Sequence, residues 1–167
     1  MFNQLTQKDI EAMEAEIEER KLVIRPKLLE SVKEARAQGD LSENFEYYAA
    51  KREKNKNESR IRFLERMIKT AEVIPDDSKE DEIGMNNTVE VEFEEDGSIE
   101  TYKIVTTMRG NSLEGLVSVE SPIGKALIGR KVGDRVFVQV NADYGYYLTV
   151  KSIENTMDDG SDKIRSF

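Results

Sequence analysis

Apolar side chains recur at steps of three, four and seven residues from Met1 to Pro75. This spacing places them on one face of an α-helix and is typical of the seam between two packed helices. The sequence therefore predicts two helices of roughly 30 residues, or about 45 Å each. The apolar positions are Ile10, Met13, Ile17, Ile24, Leu28, Val32 and Ala35 in the first helix, and Phe45, Tyr48, Ala49, Ile61, Leu64, Ile68 and Ala71 in the second.

The ends of the first helix carry their own signals. Thr6 and Asp9 have the spacing of a capping box, which predicts a helix start. Arg20 interrupts the apolar stripe and Pro26 lacks a backbone donor, so we expect a bend or break nearby. Gly39 suits the left-handed backbone at a helix end. Because the connection that follows is short, the two helices are expected to lie antiparallel, as a coiled-coil hairpin over residues 1–75.

The pattern changes after a polar, acidic linker at residues 76–86. Alternating apolar and polar positions predict strands at 88–93, 99–105, 113–119, 136–140 and 146–153. Ser121 as a cap and Pro122 in the first turn predict one short helix, Ile123 to Ile128. The prediction is an α+β chain in which residues 87–155 form a small antiparallel β domain, followed by a polar, frayed tail at 156–167.

The composition excludes several kinds of chemistry. The chain has no cysteine and no histidine, so disulfides, serine–histidine triads and imidazole metal ligands are excluded. Any metal site must use carboxylates, which suit a hard ion such as magnesium. There is no apolar run of about 18 residues and no secretory signal pattern, so we expect no membrane span and a cytoplasmic location.

The charge is divided unevenly along the chain. The net charge is −9, yet residues 1–75 contain 15 acidic and 15 basic side chains, and the remainder contains 19 acidic and 10 basic. A general nucleic-acid binder is expected to be basic. Any contact with nucleic acid should therefore be local and belong to the first half.

Two acidic residues lie between the predicted helices. Asp40 and Glu43 are three positions apart, so both carboxylates can point the same way. One interpretation is structural, with Asp40 capping the second helix and Glu43 completing a capping box. The other is a metal-linked role at the end of a protruding rod, and the two interpretations are compatible.

Basic residues dominate the second helix after this turn. Lys51, Arg52 and Lys54 are the first of eight, followed by Lys56, Arg60, Arg62, Arg66 and Lys69. One interpretation is a solvated face with stabilising ion pairs. The other is a short track that contacts RNA phosphates without distinguishing sequence.

Two long motifs resemble those of one family. GDLSENFEYYAAK, from Gly39 to Lys51, is similar to the signature of the GreA/GreB transcript cleavage factors. SPIGKALIG, from Ser121 to Gly129, together with Val132-Gly133-Asp134, is similar to that family's second signature. Leu5-Thr6 and Arg25-Pro26 also fit, and the resemblance spans about residues 5 to 154 in one consistent order.

The resemblance implies a fold, a partner and an activity. It implies an N-terminal helical hairpin and a C-terminal FKBP-like domain that docks on bacterial RNA polymerase. The hairpin would enter the polymerase's secondary channel, where the 3′ end of backtracked RNA lies. There Asp40 and Glu43 would help hold a second Mg²⁺ at the polymerase active site, and the polymerase would hydrolyse the RNA. The factor itself would be a monomer, with neither an active site nor a cofactor of its own.

The resemblance also assigns supporting residues and shows departures. Gly39, Asn44, Tyr47 and Tyr48 would shape the tip, and Ser121-Pro122 would lie near the polymerase-facing side. The family usually has histidine where this chain has Tyr48, and a smaller residue where it has Phe45. Tyr48 is expected either to pack under the tip or to alter the contact with RNA.

Three other functions remain open from the sequence. The chain could occupy the channel and inhibit polymerase without stimulating cleavage, although retention of both acids argues for cleavage. A peptidyl-prolyl isomerase is suggested by the FKBP-like shape, and a coiled-coil adaptor by the helices alone.

Overall fold

The computed structural model describes residues 3–39 and 44–166 as two compact units. The helical unit spans Ile10 to Ala71, and the β unit contains the residues up to Asp9 and from Glu72 onward. The chain is α+β, with a long N-terminal helical segment followed by a mixed β-sheet. In the described part, none of the helices combines the length and the apolar content that crossing a lipid bilayer requires.

The first helical segment begins with the predicted capping box. Helix α1 spans Gln7–Glu19. The Thr6 amide donates to Asp9 Oδ2 at 3.1 Å, and the Asp9 amide donates to Thr6 Oγ1 at 3.2 Å. These reciprocal bonds satisfy two of the amides that a helix start leaves without intrahelical partners, so this prediction is confirmed.

The irregularity expected near Pro26 is a π-helical turn at Arg20–Ile24. The Arg25 amide bonds to the carbonyl of Arg20, five residues back. Pro26 has no amide with which to continue an α-helical ladder at this point. Helix α2 then runs over Arg25–Arg36 with the proline in its first turn, where the missing donor costs little.

Helix α3, Phe45–Lys69, pairs with the first segment in the opposite chain direction. Arg25 contacts Glu58 at 2.8 Å, and Asn44 contacts the carbonyl of Ala35 at 2.6 Å. Residues near the end of α2 therefore contact the start of α3, and residues near the start of α2 contact positions further along α3, as in an antiparallel pair. The predicted stripe of the first segment is confirmed, since all seven of its members are buried or half-buried.

The stripe of α3 differs from the prediction at its start. Ile61 and Leu64 are buried as expected, but Phe45, Tyr48 and Ala49 are exposed and Tyr47 is buried instead. The buried face of α3 can be followed back from Leu64 in steps of three or four residues. It includes the polar residues 57 and 54 and then residues 50 and 47. Those polar positions hid the correct register in the sequence.

A layer of hydrogen-bonded polar side chains lies between the first helical segment and the middle of α3. Glu16 accepts bonds from Arg60 Nε and Arg20 Nε, both at 2.8 Å, and Arg20 also donates to the buried Asn57 at 2.9 Å. Partial burial raises the pKa of Glu16, but the hydrogen bonds from Arg60 and Arg20 outweigh it and hold the pKa below its ordinary 4.5. Arg20 interrupts the apolar stripe, and its guanidinium is paired there with Glu16 and Asn57.

The β unit contains a five-stranded sheet and a two-stranded parallel pair. The order β5-β4-β3-β7-β6 is formed by β3 Thr88–Phe93, β4 Ile99–Val105, β5 Leu116–Ser118, β6 Arg135–Gln139 and β7 Gly145–Glu154. The pair consists of β1, Gln4–Leu5, and β2, Glu72–Val73. Helix α4, Pro122–Leu127, contacts β5 and β6. The core includes Val89, Val91, Ile104, Leu127, Val136, Val138 and Leu148.

The predicted all-antiparallel sheet is wrong at one edge. β4 and β5 are parallel, with Lys103 opposite Leu116. The third strand was predicted to begin at Leu113, but Ser112–Glu114 form a 3₁₀ turn instead, and Gly115 follows with φ +74°. This turn and an earlier 3₁₀ turn at Thr107–Arg109 give the chain enough length to cross back before β5 pairs with β4, whereas a tight hairpin would force antiparallel pairing.

Two segments assigned from their polarity to a linker and a frayed tail are packed. Within residues 76–86, Ile83 and Met85 are buried in the core, and the Ile83 amide bonds to Arg130 at 2.8 Å. In the tail, Asp158 is buried and the Arg165 amide donates to Met108 at 2.7 Å. In the tail, the polar composition hid charged side chains that are paired inside the protein, Asp158 with Arg109 and Asp162 with Lys103.

Replacing Glu16 by Gln tests the polar layer. The pKa of Glu16 is lower folded than unfolded, so its contribution to stability is present above pH 4.5 and lost as the pH falls through the lowered pKa. We expect Glu16→Gln to reduce the free energy of unfolding by about 1–2 kcal/mol at pH 7, with the difference shrinking at pH 3.

Urea unfolding followed by circular dichroism at both pH values measures this effect. The exposed Glu19→Gln is the control and should change stability little at either pH. A Glu16→Gln deficit that is the same at pH 3 and pH 7 would contradict the ionic role.

Candidate functional site at the turn between the helices

Asn44 closes the turn from α2 to α3. Its Oδ1 accepts a hydrogen bond from the Tyr47 amide at 3.0 Å, which makes it the N-cap of α3. Its Nδ2 donates to the carbonyl of Ala35 at 2.6 Å, near the end of α2. One side chain thus satisfies an end of each helix and holds the two ends together.

Asp40 and Glu43 lie outside the described residues. The structure nevertheless decides one of the two interpretations given to them, because the N-cap position of α3 belongs to Asn44. The idea that Asp40 caps this helix is therefore wrong. Gly39 has φ +117°, as predicted for the end of the preceding segment, and that conformation strains any residue with a side chain.

Tyr47 is the buried member of the motif and lies among cations. The guanidinium of Arg36 is 5.5 Å from its ring centroid, and Lys51 Nζ is 6.0 Å away. The hydrogen bond from Arg36 lowers the pKa of the Tyr47 phenol, with the charges of Lys51 and Lys54 adding to the effect. The base of the turn is therefore electropositive.

Sequence reasoning missed Arg36. This residue belongs to the last turn of α2, where a cation also complements the helix dipole. The antiparallel pairing brings it close to Lys51 and Lys54 of α3, which are 15 and 18 positions later in the sequence. The sequence did offer one signal for Arg36. It lies three residues before Gly39, about one helical turn from the predicted end of the helix.

The two remaining aromatic residues of the motif face solvent. Phe45 is 83% exposed and Tyr48 is 45% exposed. Tyr48 contacts Tyr47 edge-to-face, with ring centroids 5.5 Å apart. Packing beneath the turn is provided by Tyr47, and Tyr48 covers it while keeping much of its own ring accessible.

The basic residues predicted as a track differ in their exposure. Lys51 and Arg52 are exposed and Lys54 is half-buried near Tyr47. Arg60, counted with them in the sequence, is buried and paired with Glu16. The accessible cations near the turn therefore include Arg36, Lys51, Lys54 and Arg52.

Ser121 and Pro122 start helix α4 as predicted. Ser121 Oγ accepts from the Gly124 amide at 3.1 Å and donates to the Ser118 carbonyl at 2.6 Å. A Cβ on Gly124 would lie 1.9 Å from that carbonyl oxygen, so only glycine fits. Ser121 also lines an open groove of about 920 Å³ in the β unit.

The described residues contain no group of three acidic side chains arranged to hold a metal ion. Two carboxylates, Asp40 and Glu43, are the donors that the sequence offers at the turn. Their chemistry fits Mg²⁺, which commonly takes one or two protein carboxylates and completes its shell elsewhere. Such a pair suits an ion shared with another molecule.

Comparison with known proteins gives two family matches in chain order. The family described as "Transcription elongation factor, N-terminal" matches residues 3–73, and "Transcription elongation factor, GreA/GreB, C-term" matches residues 78–155. The chain belongs to the GreA/GreB family. The turn at Asn44 and the start of α4 at Ser121 each lie within one of these matched regions.

Individual relatives agree with the family. Transcription elongation factor GreA of Streptococcus thermophilus is 43% identical over 86% of this chain and 90% of its own length. That of Macrococcus caseolyticus is 41% identical over 90% and 94%. Among solved structures, GreA factor homolog 1 of Thermus thermophilus is similar, with 26% identity, a TM-score of 0.43, and coverage of 93% of this chain and 100% of that one.

Asn44→Ala tests the closure of the turn. The substitution removes the cap of α3 and the bond to Ala35, so we expect the helical unit to lose about 1 kcal/mol and the amides at the start of α3 to exchange faster. Hydrogen exchange of residues 45–48 measures the local effect. Asn55→Ala, at an exposed position within α3, is the control and should not increase exchange there. Unchanged exchange in Asn44→Ala would refute the assignment.

Proposed function

We propose that this chain binds bacterial RNA polymerase and stimulates the polymerase's own hydrolysis of backtracked RNA. The helical unit acts as a coiled-coil hairpin that enters the secondary channel, with Asp40 and Glu43 at its tip. The β unit acts as an FKBP-like docking domain. Membership of the GreA/GreB family supports each part of this proposal.

The capping of α3 by Asn44 is the observation that carries the proposal. Asn44 satisfies the start of α3 and the end of α2. Helix formation therefore does not require the negative charges of Asp40 and Glu43 as its N-cap. Asp40 and Glu43 belong in the sequence to the connection between α2 and α3, which agrees with a role toward another molecule.

The acids have a defined chemical task in this proposal. Asp40 and Glu43 would contribute carboxylate oxygens to a Mg²⁺ ion shared with the polymerase active site. Such an ion, when bound, stabilises developing charge and favours ionisation of water. The chain supplies ligands and their placement, and the polymerase supplies the rest of the active site. The protein thus acts as an activator and not as a nuclease.

The cations behind the tip have a second task. Arg36, Lys51 and Lys54 surround Tyr47, and Arg52 is exposed beside them. Positive charge at this place would attract the phosphates of the extruded RNA strand without distinguishing its bases. It would also partly neutralise the repulsion between RNA and the tip acids.

Asp40→Asn separates the chemistry from stability. Asparagine keeps the size and polarity of the side chain but is neutral and a poorer Mg²⁺ ligand. We expect the helical unit to melt nearly as before, while RNA cleavage in a stalled, backtracked polymerase falls by about 100-fold or more, the order lost when charge stabilisation is removed from a hydrolytic site. Release of short labelled 3′ RNA fragments is the measurement.

Glu34→Gln is the matched control, because it makes the same charge change at an exposed position on α2. It should leave cleavage unchanged. Cleavage at the normal rate by Asp40→Asn would exclude Asp40 from the shared metal site. An unmodified chain that binds polymerase and slows synthesis without releasing fragments would establish the inhibitor alternative instead.

Lys51→Glu and Arg52→Glu test the basic track. Reversing either charge should weaken the action on extruded RNA by about 3- to 10-fold and reduce its salt dependence, since one phosphate contact is lost. Competition with unmodified protein for polymerase should persist. Lys69→Glu, an exposed change at the far end of α3, is the control. Equal cleavage by all three variants would show that these basic residues form a solvated helix face and do not contact RNA.

A further inference from the structure

The segment 156–166 is attached to the β unit along most of its length. Thr156 Oγ1 donates to the Asn86 carbonyl at 2.7 Å, and Lys103 Nζ pairs with Asp162 at 2.5 Å. Near the end of the segment, the Arg165 amide donates to the Met108 carbonyl at 2.7 Å. These contacts distinguish it from a tail that is merely solvated, even though its composition is polar.

Arg109 is the centre of this attachment. Its side chain is 6% exposed, and its guanidinium forms an ion pair with Asp9 and lies 3.4 Å from Asp158. It also donates to the backbone carbonyl of Asp162. The guanidinium therefore joins the first turn of α1 to the C-terminal segment.

The partners of Arg109 are themselves fixed. Asp9 is 1% exposed, and its Oδ2 accepts from Thr106 Oγ1 at 2.6 Å and from the Thr6 amide in the capping box. Lys8 Nζ donates to the Asp158 carbonyl at 3.0 Å. Two consecutive residues of α1 thus contact the segment or the arginine that holds it.

Burial makes these contacts interdependent. A buried guanidinium is tolerated only when carboxylates and carbonyls replace its hydration. Asp158 and Asp162 supply part of that replacement from the segment. If the segment leaves, Arg109 loses partners and water enters beside Asp9, so the capping box becomes accessible.

We infer that residues 156–166 form a strap that holds the start of the N-terminal helix, residues 6–9, in the β unit through the shared guanidinium of Arg109. The strap lies directly beyond the family's C-terminal match, which ends at residue 155. It is a conformational device of this chain, and it is independent of the cleavage activity proposed above.

Asp158→Ala in the full chain, with Asp159→Ala as control, tests the strap. Each aspartate accepts one backbone amide two residues later, from Gly160 and Ser161 respectively, but only Asp158 is buried and faces Arg109. The two substitutions therefore remove the same charge and the same kind of backbone bond, and Asp159→Ala removes in addition a bond from Ser161 Oγ. They differ in the contact with the guanidinium.

Hydrogen exchange followed by mass spectrometry is the measurement. In Asp158→Ala, we expect exchange at residues 6–9 and at Arg165 to rise by about tenfold or more, while β3 and β7 keep their protection. Asp159→Ala should change both regions by less than about twofold. Equal exchange at residues 6–9 in the two variants would overturn the inference.

A milder pair guards against loss of the fold. If Asp158→Ala exposes β3 and β7 as well, Asp158→Asn and Asp159→Asn give the same comparison with less disturbance. A chain ending at Asn155 gives a second check, because it should lose protection at residues 6–9. Retained protection there would equally contradict a role for the strap.

Discussion

The turn between α2 and α3 depends on one amide side chain. Asn44 accepts from the start of α3 and donates to the end of α2, so separating the two helices here breaks the bond to the Ala35 carbonyl. Further along the paired helices, the polar layer of Glu16, Arg20, Asn57 and Arg60 also joins them by hydrogen bonds. Both devices use hydrogen bonds of fixed geometry, which determine register more strictly than apolar contacts do.

This arrangement separates structure from chemistry at the tip. The cap is Asn44, the buried ring is Tyr47, and the cations around that ring come from both helices. None of these tasks requires Asp40 or Glu43. The proposed function therefore assigns to the two acids a task that lies outside the chain, in an active site that the polymerase completes.

Local patterns predicted the elements in which every side chain fits a single pattern, such as the alternation of a strand or the Ser-Pro start of a helix. The alternation in Thr88–Phe93 and the return at Ile99–Val105 correspond to β3 and β4 residue for residue, and Ser121 with Pro122 starts α4 as expected. Pairing partners were harder to predict. The parallel edge at Leu116 depends on the path of the chain through two short turns, which no periodicity records.

Polar residues with buried partners caused most of the differences. Asn57 and Arg60 occupy seam positions of α3, and Asp158 is covered because Arg109 meets it from a distant turn. A single sequence shows the charge of such residues but not the partner, so Tyr47 was missed as the buried ring and the strap was taken for a frayed tail. The two tip acids were identified from the motif, and their role stays a prediction.

A photoreactive amino acid in place of Leu41, between the two acids, tests the central claim most directly. If the paired helices carry this turn into polymerase, irradiation of a backtracked complex should link it to the last nucleotides of the extruded RNA. A complex that has not backtracked should yield no RNA link. Crosslinks confined to the outer surface of polymerase in both complexes would contradict the account.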